Sequence, residues 1–224
     1  MGNDKLSNRQ ISNPSISNLQ SPNLQSSNLP YRIGLTGNIA TGKSAVGRML
    51  AELGAEVIDA DRIVHTVLAP DGAAYPAVIA VFGTSILTAD GTIDRSKLGD
   101  IVFTDADALA RLEQLTHPPV IAIIEERIAA STAPVVVVEA IKLLESGVAD
   151  DYEAIWVTTC PEAAQLARLM KSRRLTREEA LRRIHAQPPQ VEKITRADVV
   201  IDTSGTLDKT RAQVRAAWEN VKNT

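Results

Sequence analysis

The chain predicts an α/β fold: a doubly wound, five-stranded parallel sheet with helices on both faces. Three observations carry this. First, from Tyr31 onward short β-branched or apolar runs alternate with helical patterns, the signature of repeated βαβ units. Second, Val135–Val138 is apolar without alternation, so it reads as a central strand buried on both faces. Third, residues 37–44 read Gly-Asn-Ile-Ala-Thr-Gly-Lys-Ser, a complete G-x-x-x-x-G-K-[ST] loop between a strand and a helix.

The strand candidates, in order, are 31–36, 55–59, 134–139, 153–158 and 198–202. Tyr31–Thr36 feeds the glycine-rich loop, and Ala45–Leu53 continues it as a helix. In that setting the loop's backbone N–H groups cradle phosphates and the helix N-terminus adds positive potential. Lys43 then reaches the β/γ-phosphates and the Ser44 hydroxyl binds Mg²⁺. Gly37, Asn38, Ile39, Ala40, Thr41, Gly42, Lys43, Ser44 and Ala45 are therefore the candidate nucleotide-binding residues. The alternative is a glycine-rich βα turn without a ligand.

Residues 60–133 are longer than one crossover helix requires. They contain Pro70-Asp71-Gly72, Phe82-Gly83, Ala89-Asp90-Gly91 and His117-Pro118-Pro119, with helical stretches between these breaks. The interval reads as a helical subdomain placed to bind a second substrate. Residues 30–61 and 134–215 form the core, 62–133 the insertion and 165–185 a lid within the core. Residues 1–29 are rich in Asn, Ser and Gln and lack an apolar stretch, so they read as a disordered leader rather than a secretory signal; a translation start placed too early also fits.

Composition narrows the function. The net charge of −3 leaves no global basic field for nucleic acid. No run of about 18 apolar residues exists, so no membrane span is expected. The single Cys160 excludes an intrachain disulfide framework and a Cys-rich zinc site, and it fits a reducing, cytoplasmic setting. The three histidines have no metal-ligand spacing.

Several residues could carry chemistry. Asp59 and Asp61 end the second strand and point to one side if the chain stays extended. One could take a proton from an attacking hydroxyl, and either could support Mg²⁺; alternatively Asp61 caps a helix over 62–68. Glu139 stands at the end of the Val strand, either orienting metal-bound water or facing solvent. Residues 168–183 are rich in arginine, including Arg168, Arg173 and Arg174. Thr176-Arg177-Glu178-Glu179 has capping-box form, so a helix ends near Ser172 and another begins near Thr176. Such a hairpin could bring an arginine over transferring phosphate, or it could be a solvated face with Glu–Arg pairs. His117 before Pro118 reads equally as a turn residue.

Taken in order, these motifs resemble the dephospho-CoA kinase family across about residues 31–215. The resemblance is carried by Ile33–Gly37 running into the loop, Val57–Asp61, Asp90–Arg95, Leu115–Pro118, Leu143–Glu145, Arg168–Met170, Ala186-Gln187 and Ala197–Asp202. It implies a P-loop kinase-like core, a helical CoA-binding subdomain and a helical lid. It also implies ATP, with Mg²⁺, phosphorylating the ribose 3′-hydroxyl of dephospho-CoA to give CoA and ADP. By that pattern Asp61 is the general base, Lys43 and Arg168 serve the transferring phosphate, and Asp59, Asp61, Arg95 and His117 meet the acceptor. A small-molecule substrate is implied, with no nucleic acid or membrane partner; a monomer is compatible with it.

Some positions depart from the family's usual pattern. Asn38 and Ala40 stand where glycines are commoner, and Ala40 is strained if its φ is positive. Ile141 and Lys142 replace a segment that usually carries proline. Ser172 replaces a second lid arginine, and Arg173, one step on, is turned about 100° around a helix. Two rival readings remain. One is another small-molecule or nucleoside monophosphate kinase, against which the Asp-Ala-Asp and the long insertion argue. The other is a nucleotide-binding module without transferase activity. A GTPase is disfavoured by the lack of an Asn-Lys-x-Asp motif.

Overall fold

The Val135–Val138 run lies at the heart of the sheet. In the computed structural model, which describes residues 29–222, β3 (Val135–Glu139) is buried along its whole length. β1 (Tyr31–Thr36) pairs with it on one side and β2 (Glu56–Asp59) on the other. β4 (Ala154–Thr159) and β5 (Val199–Asp202) extend the far edge. The order is β2-β3-β1-β4-β5, all parallel, and the strands match the sequence candidates within a residue at each end. The leader expected over 1–29 falls, except for Leu29, outside the described residues.

The pleat sorts side chains to two faces. Ile33, Leu35, Val135, Val137 and Trp156 pack against α1 (Lys43–Glu52) and α9 (Leu207–Lys222). On the other face Val136 and Val138 pack against four helices that follow β2. These are α2 (Ala60–Val67), α3 (Tyr75–Phe82), α4 (Arg95–Val102) and α5 (Ala106–Ala130). The 60–133 segment thus shares its core with the sheet. Also on that face, Ile155 and Val157 meet Leu143 and Leu144. Between β4 and β5 lie α6 (Glu162–Arg173), α7 (Arg177–His185) and the short α8 (Gln190–Ile194).

The break expected at His117-Pro118-Pro119 does not occur: α5 runs through both prolines. Each proline removes one N–H donor from the ladder. The helix survives because Thr116, Val120, Ile124 and Ile128 are buried at helical spacing along one side. The capping box is present as read: the Thr176 side chain accepts from the Glu179 N–H, and the Glu179 side chain accepts from the Thr176 N–H.

From β1 the chain moves to β2 on one side, and from β3 it crosses to β4 on the other. The reversal opens a crevice at the carboxyl ends of β1 and β3, where open α/β sheets hold ligands. The loop after β1 lies at that crevice.

Candidate active site

The loop Gly37–Gly42 turns the chain from β1 into α1. Gly42 is the helix N-cap, at φ 96, and its carbonyl accepts from Ala45 and Val46 N–H at 3.0 and 3.1 Å. At Gly37 a Cβ would stand 2.4 Å from Thr158 Oγ1, so nothing larger fits. Ala40 adopts φ 59, the left-handed conformation whose cost the sequence anticipated.

Neighbouring elements hold the loop's outer edge. Thr203 Oγ1 donates to Thr41 O at 2.7 Å, and Gln165 Nε2 to Ile39 O at 2.7 Å. The Ile39 N–H donates to Gln187 Oε1 at 2.6 Å, and Asn38 Nδ2 to Pro188 O at 2.8 Å. Asn38 is buried, so here the side chain acts as a tether between the loop and the segment after α7. Nothing in sequence spacing links Gln165, Gln187 or Thr203 to the loop; only the fold brings them there.

Inside the loop lies a compact charge cluster. Lys43 is buried, and its Nζ donates to Gly37 O at 3.1 Å. Burial lowers its pKa; Asp61, Glu139 and Asp59 counteract this. Glu139 is also buried and accepts from Ser44 Oγ at 2.8 Å. The solvent-facing alternative for Glu139 is therefore excluded. Its carboxyl is pushed up by burial, against the Ser44 hydrogen bond and the Lys43 charge. Asp61 is likewise raised, first by burial, with Lys43 pulling the other way and Asp59 adding to the rise.

The reading of Asp59 and Asp61 as successive strand residues needs correction. The strand ends at Asp59, and Ala60 already begins α2. Asp59, not Asp61, is the N-cap: its Oδ1 accepts from the Arg62 N–H at 3.0 Å. Capping by Asp59 satisfies that helix end. Asp61, in the first turn, faces Lys43 instead.

A cavity of about 240 Å³ opens beside Asp61, between α2, α5 and the segment after β3. Its walls are mainly apolar, including Val64, Leu112 and Val120; Glu113, His117 and Lys142 add polar groups. Lys142 and Glu113 form an ion pair across its rim. His117 thus shares a cavity with Asp61. Arg95 does not line it: exposed at the start of α4, its charge helps lower the His65 pKa, after burial. Arg168 donates from Nη1 to Ala40 O and Thr203 Oγ1, both at 3.0 Å, and from Nη2 to Thr203 O. It braces the loop from outside, while Arg173 and Arg174 are exposed at the end of α6.

Hard oxygen donors stand where Mg²⁺ was expected. Ser44 Oγ and Glu139 Oε1 are in direct contact at the start of α1, beside the phosphate loop. One hydroxyl and one carboxylate, completed by phosphate oxygens and water, is a donor set that Mg²⁺ favours. Among the described residues no three His, Cys, Asp or Glu side chains form a metal-holding group. No helix among them is long and apolar enough to cross a membrane.

The dephospho-CoA kinase sequence pattern matches residues 31–209. The chain belongs to the dephospho-CoA kinase family. A dephospho-CoA kinase of Carboxydothermus hydrogenoformans is 48% identical over 185 residues, covering 81% of this chain and 90% of its own length. That of Geobacter metallireducens is 45% identical, covering 84% and 94%. Among solved structures, the Campylobacter jejuni dephospho-CoA kinase superposes with a TM-score of 0.60 at 28% identity, covering 85% of this chain and 96% of its own. A shikimate kinase of Bacteroides thetaiotaomicron, 14% identical, shares the fold, with a TM-score of 0.50 and coverage of 86% and 98%.

Proposed function

We infer that the protein transfers the γ-phosphoryl group of ATP to the ribose 3′-hydroxyl of dephospho-CoA, giving CoA and ADP, the last step of coenzyme A synthesis. The observation that carries this is the placement of Asp61. It lies in the field of the phosphate-loop lysine on one side and opens on a mainly apolar cavity of about 240 Å³ on the other.

Each residue then has a chemical task. The loop Gly37–Ala45 receives the phosphates, with the α1 N-terminus behind it. Lys43 leaves the Gly37 carbonyl for the β/γ-phosphate oxygens and stabilises their charge. Asp61 accepts the 3′-hydroxyl proton while the oxygen bonds to the γ-phosphorus and the bond to the β-phosphate oxygen breaks. Its raised affinity for a proton, set by burial, suits a base. Ser44 and Glu139 would hold Mg²⁺, which when bound would neutralise phosphate charge.

Residues 62–133 supply the acceptor side, with His117 in the cavity and Arg95 exposed outside it at the start of α4. Asp59 serves the site by fixing the start of α2. Residues 165–185 form the lid, whose exposed arginines can approach the phosphates on closure. Arg168 acts by bracing Ala40. A cytoplasmic location accompanies this reading, and the single Cys160 is compatible with it. A coupled ADP-release assay tests it. Turnover should require dephospho-CoA and should not be supported by shikimate or nucleoside monophosphates. No acceptor-dependent rate would sink the assignment.

A further inference from the structure

A second lysine at this site is as buried as the first. Lys193, on α8, is 3% exposed, and it lies close enough to Lys43 to depress that lysine's pKa. A buried ammonium is costly unless paired and hydrogen-bonded. Lys193 meets both conditions. Its Nζ donates to Glu145 Oε1 at 2.7 Å, to Glu145 Oε2 at 3.0 Å and to Ile141 O at 2.7 Å. An ammonium has three donors, and these contacts occupy them. Lys193 is therefore not poised as a phosphate ligand.

Its partner identifies its task. The Ile141 carbonyl accepts both from Lys193 Nζ and, at 3.1 Å, from Thr36 Oγ1. The residues on either side of it, Ala140 and Lys142, line the same cavity as Asp61. Ile141 follows the last ladder bond of this edge, from the Ala140 N–H to the Leu35 carbonyl at 3.0 Å, and lies outside any strand or helix. Asp61 meets charges from every neighbouring element: Lys43 on α1, Asp59 on β2 and His65 on α2. Glu139 on β3 shares that field. Lys193 on α8 acts on that field through Lys43.

We propose that Lys193 is a positioning residue for phosphoryl transfer: paired with Glu145, it anchors Ile141, and with it the cavity wall beside Asp61 that keeps this carboxylate in line with the acceptor hydroxyl. This rests on Asp61 being the base. A base misplaced by a fraction of an ångström loses rate in the chemical step rather than substrate affinity.

The test is a double-mutant cycle in the full chain, assayed with ATP and dephospho-CoA. Lys193→Met should lower kcat by about tenfold or more, with both KM values within about threefold of the parent. In an Asp61→Asn background the same change should cost nothing further. A Lys193→Met enzyme of full kcat, or one losing the same factor in both backgrounds, would overturn the proposal. An undiminished Asp61→Asn enzyme would instead overturn the base assignment. If Lys193→Met does not fold, Thr36→Val removes the other donor to the same carbonyl. It should reduce kcat severalfold only when Asp61 is present, and an unchanged kcat would overturn the proposal.

Discussion

The two halves of the site are built in opposite ways. On the phosphate side, the candidate binding groups are the consecutive residues 37–45, whose backbone is held by side-chain hydrogen bonds from α6, from Gln187 after α7 and from Thr203 just after β5. On the acceptor side, a mainly apolar cavity is walled by residues from α2, α5 and the segment after β3, with one ion pair across its rim. The first half recognises charge, which demands fixed donors. The second is a mainly apolar cavity, in which shape counts for more than any single contact. Asp61 stands where the two halves meet.

That contrast makes predictions, the largest on the phosphate side. Lys43→Met should lower kcat/KM by about 10³-fold or more and weaken ATP binding in calorimetry, because no other cation among the described residues is shown inside the loop. Asp61→Asn should cost about 10²–10⁴ in kcat while ATP affinity stays near the parent value. An equal loss of ATP affinity would mean that Asp61 belongs to the phosphate half.

The pH profile sharpens the same point. Burial raises the Asp61 pKa, so the base loses its charge at a higher pH than an ordinary carboxyl would. Activity should accordingly fall, as pH drops, through a limb above the usual carboxylate range. That limb should be missing from the residual rate of Asp61→Asn. Burial also lowers the Lys43 pKa in the absence of nucleotide, so ATP binding should weaken on the alkaline side below the ordinary lysine range. Calorimetry across pH reads this directly.

Smaller effects separate the halves further. His117→Ala should raise the KM for dephospho-CoA about tenfold while leaving the KM for ATP unchanged, since His117 lines only the cavity. Ala40→Gly should stabilise the fold by about 0.5–1 kcal/mol in urea unfolding, left-handed strain being relieved against added chain entropy. A destabilised Ala40→Gly would show that the Ala40 methyl group packs usefully beside Leu169 and Ile184.

The contrast also explains what could be read in advance. The strands were legible because Ile33, Leu35 and Val135–Val138 are buried among apolar neighbours, so composition mirrors burial there. The loop was legible because its binding groups are consecutive backbone and near-neighbour side chains. The breaks were less so: Pro118 and Pro119 obey a local rule that the packing of α5 overrides. The cap falls on Asp59 rather than Asp61 because α2 begins at Ala60, two residues before the helix read from the sequence, and the cap moves with the helix start. Lys193 carried no sequence signal, being one lysine in a polar stretch whose partners Ile141 and Glu145 are far away in the chain.

By itself the sequence determined the α/β class, the strand positions and the phosphate loop, because each depends on local pattern and on groups that travel together along the chain. Tertiary structure alone decided which carboxylate caps and which faces the lysine, where Arg168 spends its donors, and how an acceptor cavity comes to lie beside Asp61. Those outcomes depend on burial and on contacts between residues remote in sequence. Desolvation and hydrogen bonding, which set the charge state of Lys43, Asp61 and Glu139, exist only once the surrounding elements have closed over them.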